Sequence, residues 1–128
     1  LKILKLISNR RKKKGLSSFV DFDQFSDWYN SIEKVCHYCG LTEEESQEIV
    51  VKGILRSNRF PQNGTPGQGQ CRGMWLEIDR MLPKENYSLD NCVLCCYFCN
   101  NDKSDVFIGQ QYTEFQKDRA GFLRKLLK

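Results

Sequence analysis

From residue 21 onward the chain moves between two hydrophobic rhythms, and the points where the rhythm changes mark its elements. Phe22, Phe25, Trp28, Tyr29, Ile32 and Val35 recur at intervals of three and four, which places them on one face of a helix over residues 21–35. Asp21, with Gln24 three residues on, has the form of a capping box at its start. A second box, Thr42 followed by Glu45, opens a helix predicted to run to about residue 54. Its first turn is acidic (Glu43, Glu44, Glu45), which suits the positive end of the helix dipole. Residues 56–73 (RSNRFPQNGTPGQGQCRG) concentrate glycine and proline and read as a long loop carrying Arg56, Arg59 and Arg72. The period then falls to two. Residues 74–81 read as a strand with Trp75, Glu77 and Asp79 on one side and Leu76, Ile78 and Arg80 on the other. Residues 83–86 supply a turn, residues 91–95 a buried second strand, and a short helix follows from Cys96. A terminal helix is predicted over residues 110–127, with Phe115, Phe122, Leu123 and Leu126 as its core stripe. The expected class is α+β: a strand–turn–strand–helix unit flanked by helices.

A chain of 128 residues has the length of one domain, and 40% apolar with 28% charged residues excludes a disordered tail or a fibrous repeat. Lys and Arg number 20 against 16 Asp and Glu, a net +4 that is unevenly spread. Arg10, Arg11, Lys12, Lys13 and Lys14 stand in succession, so residues 1–18 read as a basic arm and residues 19–128 as a single folded domain. Five consecutive cations form a solvated tail unless the rest of the chain points to nucleic acid, in which case they lie along phosphates. No apolar run approaches the roughly 20 residues that span a bilayer, so a soluble protein with no membrane partner is expected. Residues 1–8 (LKILKLIS) lack a small-residue cleavage site, so no secretory leader is expected.

Seven cysteines cannot all pair with one another. Cys36-His37-Tyr38-Cys39 and Cys96-Tyr97-Phe98-Cys99 are two C-x-x-C turns, each able to bring two thiolates to one ion at about 2.3 Å. A structural zinc site is the reading this spacing favours. Disulfides compete with it, although nothing else suggests secretion, and so do ordinary buried thiols. Cys92-Val93-Leu94-Cys95 is a third C-x-x-C, which leaves open whether Cys92 or Cys95 takes a place in the site.

The second half of the chain carries a longer pattern. Leu76-Glu77-Ile78-Asp79-Arg80 is followed by Asn86-Tyr87-Ser88-Leu89-Asp90-Asn91, then by Cys96-Tyr97-Phe98-Cys99-Asn100-Asn101-Asp102-Lys103. This resembles the HNH endonucleases, whose ββα-metal (His-Me finger) core is here expected to be stapled by zinc on Cys36, Cys39, Cys96 and Cys99. The resemblance covers residues 36 to about 115. It implies a restriction-type or phage-type DNA endonuclease in which Asp79 and Asn100 hold a catalytic Mg²⁺ or Mn²⁺ through oxygen. It also implies that Asn91 fixes the geometry of the site and that Lys103 contacts phosphate. Double-stranded DNA is the expected partner, a homodimer the expected assembly and the cell interior the expected location.

One position departs from the family. Where HNH enzymes usually have the histidine that activates water, this chain has Arg80, which has no acceptor nitrogen and cannot serve as a base. A minority of the family, the small rare-cutting restriction enzymes, resembles this chain in its Asp-Arg pair and is thought to begin cleavage with a tyrosine. Tyr87 occupies the matching place. A free tyrosine titrates near pH 10, so ionising it at pH 7 takes roughly 4 kcal/mol, which a nearby dication and guanidinium can supply. His37, the one histidine, is a surface residue of the zinc turn, another metal ligand or a displaced base. A zinc-stapled DNA-binding module without catalysis is the alternative function.

Overall fold

The structure, a computed structural model, describes residues 22–61 and 71–128. The basic arm, with Arg10, Arg11, Lys12, Lys13 and Lys14, and the centre of the glycine-rich loop lie outside these residues. In chain order the elements are α1 (Phe22–Ser31), α2 (Glu43–Val51), β1 (Glu77–Arg80), β2 (Cys92–Cys95), α3 (Tyr97–Lys103), α4 (Gly109–Gln116) and α5 (Arg119–Leu127). The expected α+β arrangement is present. β1 and β2 pair antiparallel, with Glu77 opposite Cys95 and Asp79 opposite Val93. The chain then enters α3 at once, because Cys96 caps it: the Cys96 sulfur accepts the Cys99 N–H at 3.4 Å. α3 packs back against β1, completing a ββα unit.

Several boundaries differ from the sequence reading, each for a local reason. α1 ends at Ser31 instead of residue 35, where the Lys34 ammonium takes the carbonyls of Tyr29 and Ile32. Val35 then bridges to Thr42, bracketing the first cysteine turn. The Thr42–Glu45 capping box forms as expected, at 3.0 and 3.1 Å. The first strand is four residues long rather than eight, because the segment before it hangs on α2 instead of pairing. The Leu76 N–H bonds Glu43 (2.9 Å), Gln47 bonds the Met74 carbonyl (2.6 Å), and Ser46 bonds the Gly73 carbonyl (2.6 Å).

The terminal helix is two helices. Lys117 adopts φ 52° and Asp118 recaps the chain through the Gly121 N–H at 3.1 Å. A Cβ on Gly121 would stand 2.2 Å from the Asp118 carboxylate, so a larger residue there would push the capping side chain aside. The break changes the helix phase and overturns the expected stripe at three of its four positions, Leu123 alone being buried as expected. Phe115 and Phe122 are 57% and 62% exposed and Leu126 is exposed as well, while the core takes Tyr112, Ala120 and Leu123. These join Phe25, Leu41, Ile49, Leu76, Ile78 and Leu94 in one cluster beneath the hairpin.

Candidate active site

The two cysteine turns meet at one end of the ββα unit. In the first, Gly40 at φ +84° lets the chain double back, the Gly40 N–H bonding the Cys36 carbonyl at 2.9 Å. The turn is tied to β2 by the His37 N–H on the Leu94 carbonyl, 2.8 Å. The second turn is the cap of α3. Together they bring the sulfurs of Cys36, Cys39, Cys96 and Cys99 within 4.8 Å of one another, with Cys39 and Cys96 at 3.9 Å. A tetrahedron of 2.3 Å bonds has edges of about 3.8 Å, so this cage has the dimensions of a zinc site. All seven cysteines are free thiols, which removes the disulfide alternative. Cys92 and Cys95 are buried in the core outside the cage, and Cys71 is half-buried away from it.

The cage carries an electrostatic signature of its own. Hydrogen bonds from Cys39, Cys96 and Cys99 hold the Cys36 thiol far below its ordinary range, and bonding to that thiolate pushes Cys96 and Cys99 up. Four sulfurs cannot all ionise side by side without a cation, and a dication removes that limit. His37 is exposed, its ring set edge-on to Tyr38, and it does not belong to the sulfur cage.

Beside the cage, a cleft of about 330 Å³ opens between β1, the 81–91 connection and α3, with Asp79, Arg80, Tyr87 and Asn100 among its walls. The Asp79 carboxylate is 7% exposed. It accepts the Tyr38 hydroxyl at 2.5 Å and faces the Lys103 ammonium at 3.2 Å. Burial raises the Asp79 carboxyl above its usual range, while the Tyr38 hydrogen bond and the Lys103 and Arg80 charges pull the other way. Asn100 gives its amide N–H to Glu77 at 2.7 Å, which leaves its oxygen for the cleft. Glu77 is in turn held by Nε and Nη2 on one edge of the Arg72 guanidinium, with Nη2 at 2.7 Å. The Arg80 guanidinium sits 5.0 Å from the centre of the Tyr87 ring and donates to the Glu85 carbonyl at 3.1 Å.

Asn91 braces the connection that carries Tyr87. Its side chain accepts the Leu82 N–H at 2.9 Å and donates to the carbonyls of Leu82 and Asn86, both at 3.1 Å. Each such bond contributes about 1 kcal/mol, so Asn91→Ala is expected to lower stability by about 3 kcal/mol. A urea-denaturation midpoint unchanged from the parent would count against this bracing role.

Lys103 corrects an expectation. Its side chain is completely buried, with the ammonium on Asp79 and, at 3.0 Å, on the Arg80 carbonyl. It serves as an internal counter-charge and is not exposed for a surface contact with phosphate. Around the rim, exposed Arg59 bonds the Tyr97 hydroxyl (2.9 Å) and Asn101 (3.3 Å), and Arg72 lies over the Tyr97 ring at 4.8 Å. Arg56 turns away, donating to the Gly53 carbonyl at 3.3 Å. Two site residues escaped the sequence reading, Tyr38 and Glu77. The alternation of β1 did put Glu77 on the same side as Asp79, which was the available signal. Nothing local marked Tyr38 as facing inward.

No family model and no curated protein matches the chain. Among solved structures, it is similar to the rare-cutting HNH restriction endonuclease PacI, with a TM-score of 0.70 and 23% identity over 97% of this chain and 80% of that one. The chain therefore has the fold of an HNH restriction endonuclease.

Proposed function

We propose that the chain is a divalent-metal-dependent DNA endonuclease of the restriction or phage type, acting on double-stranded DNA as a homodimer, with Zn²⁺ on Cys36, Cys39, Cys96 and Cys99 as its staple. The observation that carries this reading is the convergence of Asp79, Asn100, Arg80 and Tyr87 on one cleft in a fold shared with such an enzyme. The donors suit a hard cation: a carboxylate, and an amide whose nitrogen is already committed to Glu77 so that oxygen is what remains. Asp79 and Asn100 would hold Mg²⁺ or Mn²⁺, which when bound supplies Lewis-acid stabilisation of charge on the scissile phosphate.

The other residues take roles that follow from their chemistry. Tyr87, its hydroxyl proton passed to solvent water, would act as phenolate, either attacking the scissile phosphorus so that one ester oxygen leaves or taking a proton from the water that attacks it. Arg80, stacked over its ring, would stabilise the phenolate and the phosphate. Lys103 balances Asp79 from below and Asn91 keeps the tyrosine-bearing connection in shape. The basic arm and Arg59 bind backbone phosphates, so affinity is expected to fall with salt at a slope of about −0.9 per phosphate neutralised.

Supercoiled plasmid tests the proposal. Nicking is expected with Mg²⁺ or Mn²⁺ and none with EDTA, and Tyr87→Phe should bind DNA normally while losing about a thousandfold in rate, the equivalent of 4 kcal/mol. Arg80 in place of the usual histidine favours one second reading, a DNA-binding module without catalysis. Tight, salt-sensitive binding with no cleavage in either metal would establish that module instead.

A further inference from the structure

The turn that holds half of the sulfur cage also reaches Asp79, the carboxylate that lines the cleft. Tyr38 lies between Cys36 and Cys39, yet its side chain points inward and is 5% exposed. Its ring packs edge-on against Tyr112, with centroids 5.2 Å apart, and its carbonyl accepts the Gln116 side chain at 2.9 Å. With the N–H of the preceding residue, His37, on the Leu94 carbonyl at 2.8 Å, both the ring and its backbone are held in place. The hydroxyl at the end of this fixed ring donates to Asp79 Oδ2 at 2.5 Å, and Met81 Sδ is 3.4 Å away. A buried hydroxyl without a partner is costly, so the bond to Asp79 satisfies both groups at once. From the opposite element, α3, Lys103 faces the same carboxylate. Asp79 is thereby clamped between a residue of the metal-binding turn and a residue of α3.

We infer that Tyr38 is a positioning residue for the proposed catalytic metal: it aims the Asp79 carboxylate at the cleft and links the cysteine cage mechanically to the reacting centre. This rests on the nuclease reading above. Partners that orient a metal ligand typically account for 10- to 100-fold in metal affinity or activity. In this protein one such partner is built into the staple itself.

Tyr38→Phe tests the inference, since it deletes one oxygen and keeps the ring. With the zinc-loaded full chain, Mn²⁺ is titrated and the free ion followed by electron paramagnetic resonance. Zinc content, melting temperature, plasmid turnover and, with no Mn²⁺ and no chelator added, DNA affinity are measured in parallel. The expected result is a 10- to 100-fold loss of Mn²⁺ affinity and of turnover, with zinc stoichiometry and DNA affinity unchanged. Tyr112→Phe removes a neighbouring buried hydroxyl that bonds Asp102 at 3.0 Å, and it should leave Mn²⁺ affinity at the parent value. A Tyr38→Phe protein that binds Mn²⁺ as the parent does, or that fails to fold or sheds its zinc, overturns the positioning role. A parent protein that neither binds Mn²⁺ nor nicks DNA overturns the nuclease reading first, and this inference with it.

Discussion

Cys96→Ser is expected to unfold the domain. This one sulfur follows β2 directly, caps α3 and stands in the four-cysteine cage, so its replacement by serine removes a metal ligand at the joint between strand and helix. Formation of a structural zinc site contributes on the order of 10 kcal/mol, comparable with the whole stability of a small domain. Serine keeps the cap geometry but offers a hard oxygen in place of a soft thiolate, so it cannot restore the site. Circular dichroism and a zinc-release assay with a coloured chelator give the answer. The variant should lose its cooperative melt and its bound zinc, whereas Cys71→Ser, outside the cage, should keep both. A Cys96→Ser protein that melts within a few degrees of the parent would show that the fold does not depend on the cage.

Removing Asp79 should have two separable consequences. Asp79→Ala takes away the carboxylate of the proposed metal site, whose charge stabilisation is worth several kcal/mol, and about 4 kcal/mol is a thousandfold in rate. It also strands the Lys103 ammonium, which is wholly buried, and an unpaired buried charge destabilises by about 3–5 kcal/mol. Pairing the change with Lys103→Met separates the two. The double variant should regain most of the lost stability in a denaturant melt while its plasmid nicking stays at background. Parent-like stability in Asp79→Ala alone would mean that Lys103 finds another partner, and parent-like nicking would remove Asp79 from the chemistry.

Features written in short-range chemistry were legible before the structure. The capping box at Thr42, the ββα order and the cysteine spacing each depend on residues a few positions apart, and all three are present. The terminal helix was misread because Phe115 and Phe122 keep an unbroken helical rhythm across Lys117. The break itself rests on a non-glycine residue at positive φ, which no hydrophobic pattern announces. Lys103 was placed on the correct face of its helix but at the wrong depth. Whether that face meets solvent or a buried carboxylate is decided by β1, 24 positions earlier. Tyr38 was the least legible, since its partner lies 41 positions away and its immediate neighbours are the cysteines that claim attention.

The two halves of the sulfur cage come from positions 57 apart, Cys39 and Cys96. A cross-link closing a span of that size lowers the entropy of the unfolded chain by an amount worth about 4 kcal/mol. That advantage is nearly insensitive to span, because doubling the enclosed length changes the closure term by only about 0.6 kcal/mol. The loops inside that span, such as the one between α2 and β1, can therefore grow or shrink over evolutionary time at little cost in closure entropy, while α2, β1 and β2 are held by their own packing. A scaffold clasped in this way can trial new surface loops while the clasp keeps the hairpin and its helix together.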